Sequence, residues 1–344
     1  MTIGIGVAAV FEKLLPLAHA HNFRIVSVYR CGHLPSSGFR GDDLAGIGTR
    51  KKIEDAEPFL RAQDAEIAMF LVNLATAQGI PLADPDLSNS NVGGIVLIGW
   101  SLGGIHALAL LAYLDELPVD TQLTLRKYLH TVLSHDESTV HISISPSYPG
   151  LSDASALVLG IPSDMPRHST SLLSETDERK LFDAFFDWVT AHYIHKSVTS
   201  EDLDDLEFNH PSDIPHSLDD LSYSQRAKYT CPDAFSYTGR DRKLLFCDIT
   251  AFAALTKRAL FDKARAEKLP MQVRYMSSGT SSGALIWPLR MLRKYAENPP
   301  AELYGSDAEK ARDIRIITQA EGNHFIFWED PEEAIRQYNV AINL

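Results

Sequence analysis

Apolar positions fall along the chain in two rhythms. Phe11, Leu14, Leu15 and Ala18 recur at helical spacing. The next stretch, 23–29 (FRIVSVY), is rich in β-branched residues and reads as a strand. Residues 59–78 (FLRAQDAEIAMFLVNLATAQ) are amphipathic at helical spacing and predict a long helix, with Gly79 as its C′ residue and Pro81 beyond. A short apolar run at 95–98 predicts a strand, and LGGIHALALLAYL after it predicts a helix. Further runs at 140–144, 272–276 and 314–318 read as strands, the last two separated by a helical pattern over 289–295. Such alternation predicts an α/β fold, a mostly parallel sheet with helices on both faces.

Between about 159 and 250 that alternation breaks. Leu181, Phe182, Phe185, Phe186, Val189 and Tyr193 predict one aromatic-rich helix, followed by an acidic run at 201–207 (EDLDDLE) that reads as a solvated face. The pattern therefore divides into core segments 1–158 and 251–344 and an inserted, largely helical cap over 159–250.

Composition narrows the class. At 344 residues and 45% hydrophobic content the chain suits a soluble globular protein with one large core. A formal charge of -13, from 32 basic and 45 acidic residues, argues against nucleic acid or anionic membrane as the main partner and leaves small molecules open. Cys31, Cys231 and Cys247 are too few and too scattered for a disulfide scaffold or a Cys-x-x-Cys metal site, which points to a reducing, cytoplasmic setting. The opening segment ends in Ala18-His19-Ala20 like a signal peptide, but it lacks a basic start and carries Glu12 and Lys13 mid-run. No stretch approaches the roughly 20 apolar residues of a membrane-spanning helix. The closest metal-ligand spacing, His19 with His21, does not make a site, and no cofactor is expected.

One short motif carries chemistry. Gly99-Trp100-Ser101-Leu102-Gly103 fits G-x-S-x-G, the nucleophile elbow, and an apolar strand enters it while a helix leaves it. Turning so sharply strains the serine backbone and needs small neighbours, which Gly99, Gly103 and Gly104 supply. The serine then stands on a helix N-terminus, where the Leu102 N–H is an oxyanion donor. A serine hydroxyl needs a base. His324, in AEGNHFIFWEDPEEAI, follows the strand at 314–318 and precedes a helix that Asp330 caps, with Pro331 at N1 and Glu333 at N3.

With these motifs in place, the chain resembles the α/β-hydrolase superfamily, and most of all a fungal branch with a Ser nucleophile. AAVFEKLLPLAHAHNFRIVSVYRCGHLPSSGF at 8–39, IVLIGWSLGG at 95–104, FDAFFDWVTAHYIH at 182–195 and GNHFIFWEDPEEAI carry the resemblance across nearly the whole chain. It implies a Ser-His-Asp triad, and three departures qualify it. Where the family has its first strands, this sequence reaches TIGIG at once, so N-terminal strands look missing. Ile3-Gly4-Ile5 then stands in for the family's His-Gly oxyanion motif, with the Ile5 N–H as second donor. After 272–276 the commonest acid position holds no Asp or Glu, and Ser281 occupies the slot. Some members place the acid after the preceding strand, and beyond 140–144 the first carboxylate is Asp153. Asp248, Glu321 and Asp330 are weaker candidates, and a Ser-His dyad without an acid is a further alternative. Finally, a Ser rather than an Asp at the elbow excludes the alkyl-ester chemistry of epoxide hydrolases and dehalogenases.

The expected activity is hydrolysis of a carboxylic ester, thioester or lactone through an acyl-enzyme, with Ser101, His324 and Asp153 as catalytic residues and Leu102 and Ile5 as the oxyanion hole. Phe185, Phe186 and Trp188 either line the substrate pocket or pack the cap onto the core. Two alternatives stand beside it: a non-catalytic protein that keeps the fold, and a peptidase.

Overall fold

The computed structural model describes residues 2–6, 8–33, 35–39, 43–48, 52–83, 93–136, 139–141, 155–157, 159–161, 178–236, 239–245 and 247–343. Among them are eight strands: β1 (Thr2–Gly6), β2 (Ile25–Tyr29), β3 (Ile95–Trp100), β4 (Leu129–His135), β5 (Thr139–His141), β6 (Ser155–Leu157), β7 (Gln272–Ser277) and β8 (Ile314–Thr318). Six make one parallel sheet in the order β2-β1-β3-β4-β7-β8, and β5 pairs antiparallel with β6 apart from it.

The order has a consequence for function. From β1 the chain steps one way to β2, whereas from β3 it steps the other way through β4 and β7 to β8. Parallel crossovers are right-handed, so these opposite steps send their connections to opposite faces. The Ala8–Leu17 segment packs on one face with the C-terminal helix Pro331–Asn343. On the other, α1 (Ile53–Ala77) packs against α2 (Gly103–Tyr113). Between β1 and β3 lies the switch point, and a ligand crevice is expected at the carboxyl ends of the strands there.

Most predicted elements appear, with three differences. The 11–18 helix is wound as a 3₁₀ segment, Ala8–Leu17, with Pro16 inside. Helix α1 starts well before residue 59 and runs through Pro58; Asp55 accepts a hydrogen bond from the Lys52 N–H at its start. Gly79 just past its end has φ 59°, the left-handed conformation expected of C′. The third difference matters most. The sheet strand after the elbow helix is β4, reached through α3 (Val119–Tyr128); of the predicted 140–144, residues 140 and 141 fall in β5 and 142–144 lie outside the described residues. All seven residues of β4 are buried, as in a strand covered on both faces. Its two histidines, threonine and serine hide it from a reading by hydrophobicity.

Among the described residues no helix is long and apolar enough to cross a membrane, and Cys31, Cys231 and Cys247 form no disulfide.

Asp64 of α1 is a buried carboxyl in this frame, 1% exposed, and its Oδ1 has no hydrogen-bond partner. Burial pushes it up to about 8, against the pull of Arg61. An unfolded Asp ionises near pH 4, so the stability tied to this proton is full below about pH 4 and lost as pH rises toward about 8. Asp64→Asn is expected to gain on the wild type across that window, reaching about 1 kcal/mol or more at about pH 8. Denaturant unfolding at several pH values checks this, and a pH-independent difference contradicts it.

Candidate active site

Strand β3 delivers the elbow. Ser101 has φ 54°, left-handed for a non-glycine residue, and its N–H donates to the His135 carbonyl at 3.0 Å, extending the β3–β4 ladder by one residue. The tightness is measurable at Gly99, where an added Cβ would lie 2.7 Å from the Gly103 oxygen and 2.8 Å from the Gly104 Cα. Leu102 follows in helical conformation as the N-cap of α2. Its N–H belongs to the end of the helix where amides lack intrahelical partners and the dipole favours an anion.

His324 reaches the same place from β8. Its ring packs on the Trp100 indole with centroids 4.8 Å apart, and the indole N–H donates to the His324 carbonyl at 3.0 Å. The elbow's own tryptophan thus holds the histidine loop. Asn323 fixes it from the other side: its side-chain oxygen accepts from the Phe325 N–H at 2.8 Å while its amide donates to the Thr190 carbonyl at 2.7 Å. Ser101 and His324 line one cavity of about 540 Å³, its open mouth included.

The carboxylate beside His324 is Asp136, the residue immediately after β4. Its Oδ2 lies 3.5 Å from His324 Nδ1, which has no closer hydrogen-bond partner. That spacing is long for a hydrogen bond, as is common before substrate binds. Asp136 is fully buried and also sits at positive φ, 44°. Its oxygens accept from the Ser278 N–H at 2.8 Å and from the Ser281 hydroxyl at 2.9 Å. Burial alone would raise its pKa, but the His324 imidazole beside it and the Ser278 N–H together hold it below the usual carboxylate value. Behind it, burial pushes His135 down to about 4, so that ring is neutral as it meets the Tyr338 hydroxyl (2.8 Å) and the Ser278 hydroxyl (3.0 Å).

Ser101, Leu102 and His324 line the same cavity. Asp153 lies outside the described residues, and the carboxylate beside His324 is Asp136. An acid after the strand preceding β7 would be Asp136, since that sheet strand is β4. Ser281, in the usual acid slot, donates to the Asp136 carboxylate. Asp248 and Asp330 cap helices, accepting from the Thr250 N–H (2.8 Å) and the Glu333 N–H (2.9 Å), and Glu321 is exposed. Ile5, the expected second oxyanion donor, lies within β1. It is paired with Val28 of β2 and Gly99 of β3.

The rest of the cavity wall is largely apolar. Phe182, Phe185, Phe186 and Val189 come from α4 (Glu178–Thr190), and Trp100 and Phe325 from the core. Phe185 and Phe186 therefore line it, whereas Trp188 is buried with its indole N–H on the Ser282 hydroxyl at 3.1 Å. Arg30 and Asp241, which the sequence reading did not single out, line it as well.

Gly99→Ala is expected to push β3 away from the start of α2. The expected cost is about 1–3 kcal/mol of stability, as for other overpacked sites, measurable as a lower unfolding midpoint. An unchanged midpoint contradicts the close approach.

No protein-family model matches the sequence, and no curated protein matches it. Among solved structures the chain is similar to a bromoperoxidase from Bacillus anthracis (14% identity, TM-score 0.46, covering 100% of this chain and 91% of that one). It is also similar to a haloalkane dehalogenase from Agrobacterium tumefaciens (12%, 0.47, 100% and 89%) and to a methylesterase from Arabidopsis (14%, 0.42, 99% and 98%). At such identities and scores these likenesses do not decide the chemistry, which rests on the side chains described above.

Proposed function

We propose that the protein is a serine hydrolase of the α/β-hydrolase type that cleaves a carboxylic ester, or a related thioester or lactone, through an acyl-enzyme. One observation carries the reading. A serine at left-handed φ on a strand-to-helix turn shares a cavity with a histidine whose Nδ1 faces a buried, ionised carboxylate.

In this reading His324 takes the Ser101 proton as the hydroxyl oxygen attacks the substrate carbonyl. The oxyanion forms against the Leu102 N–H. His324, now an imidazolium, is stabilised by Asp136 and returns its proton to the leaving alcohol or thiol. Water, deprotonated by the same imidazole, then releases the acid and restores Ser101. Asp136 takes the role that the sequence alone assigns to Asp153. Segment 159–250 acts as a cap, through which the α4 phenylalanines shape an apolar part of the pocket. A small molecule is the partner, and the scheme uses no cofactor.

A fluorophosphonate probe is expected to label the wild type, and the labelling is expected to vanish in Ser101→Ala. A folded wild type that takes no label favours the non-catalytic alternative. Asp136→Asn keeps the shape but removes the charge that orients His324, so kcat on an activated ester is expected to fall by up to about 10⁴-fold. Wild-type rates in that variant, with a loss in Asp153→Asn instead, return the acid to the later position.

A further inference from the structure

At one end of the cavity Arg30 and Asp241 make the wall polar, and a buried polar cluster stands behind them. Arg30 follows β2, His106 lies in the first turns of α2 beyond Ser101, and Arg240 and Asp241 open the helix Arg240–Leu245. With His33 they form a cluster in which every member is at least nine-tenths buried. Arg30 Nη2 lies 3.3 Å from Asp241 Oδ2 and 3.2 Å from His33 Nε2, and its Nη1 donates to His106 Nε2. Arg240 donates from Nε to Asp241 Oδ1 at 2.7 Å and from Nη1 to the Cys31 carbonyl.

Charge does not balance here. His106 must accept from a guanidinium through Nε2, so its ring is neutral, and burial also lowers His33. Among the described residues, two guanidinium groups then share one carboxylate. Arg30 Nε and Arg240 Nη2 are buried with no hydrogen-bond partner. An uncompensated buried cation is costly unless an anion joins it. Arg30 and Asp241 line the cavity that holds Ser101, so a bound substrate can bring that anion.

We propose that the Arg30 end of the cavity, backed by Arg240, is a carboxylate subsite, and that the preferred substrates are esters carrying a free carboxylate. Guanidinium groups suit a planar carboxylate, which accepts two parallel N–H bonds. This rests on the hydrolase reading of Ser101. The carboxylate can stand on the acyl or on the alcohol side of the scissile bond, and two matched pairs separate these cases. Mono-para-nitrophenyl succinate against para-nitrophenyl butyrate tests the acyl side; para-acetoxybenzoate against its methyl ester tests the alcohol side.

The wild type is expected to favour the charged member of one pair in kcat/KM by about 10- to 100-fold, the range of a hydrogen-bonded charge. Arg30→Gln is expected to abolish that ratio, and Asp241→Asn, which adds one positive charge to the cluster, to raise it; circular dichroism checks that each is folded. Should neither variant fold, wild-type labelling by the fluorophosphonate decides: slowing by succinate but not by succinamide supports the subsite, and equal rates overturn it. Preference for the neutral ester in both pairs, or an unchanged ratio in folded Arg30→Gln, also overturns it. Labelling without charge preference removes the subsite alone, whereas absence of labelling removes the hydrolase reading and the subsite with it.

Discussion

A carboxylate buried out of water must be given hydrogen-bond donors, and the donors of Asp136 organise this end of the molecule. The Ser278 N–H and the Ser281 hydroxyl come from the turn after β7, the carboxylate from the end of β4 and the imidazole from the loop after β8. Three strand ends are joined through one side chain. Because β3 pairs with β4, and the Ser101 N–H continues that pairing onto the His135 carbonyl, the serine is tied to the same carboxylate through one backbone step. Ser101 and Asp136 both sit at positive φ, which costs energy that the surrounding packing must offset. Such strain concentrates where geometry matters for chemistry.

The cavity above has two characters. Phenylalanines of α4 and Phe325 give it an apolar wall, suited to excluding water around a developing oxyanion. Its other end is a buried cluster in which guanidinium groups outnumber carboxylates among the described residues. If it is an acyl-transfer site as proposed, such a cavity would discriminate by shape on one side and by charge on the other.

Much of this was legible in the sequence. The elbow was, because its glycines, entering strand and leaving helix are all local, and the same holds for the histidine loop with its Asp330 cap. Segments with clear apolar periodicity, such as β2, β3, β7, β8 and the body of α1, also announced themselves. Strand β4 did not, since a strand buried on both faces is free to carry His130, Ser134 and His135 where alternation would be sought. With β4 unrecognised, the sequence pointed past 140–144 to Asp153, and Asp136 was not considered. The vacant acid slot at Ser281 was the available signal, because a hydroxyl there can serve a carboxylate arriving from the neighbouring strand. Nor was the arginine cluster visible, as its members lie up to 211 positions apart and meet only through the fold.

The central claim is that Asp136, His324 and Ser101 act as one unit. A crystal structure of the protein after reaction with a fluorophosphonate tests it most directly. The account predicts phosphorus bonded to Ser101 Oγ, the phosphonyl oxygen on the Leu102 N–H, and His324 Nδ1 drawn to within hydrogen-bonding distance of Asp136. A phosphonylated serine with the imidazole turned away, or with another carboxylate on Nδ1, would contradict it.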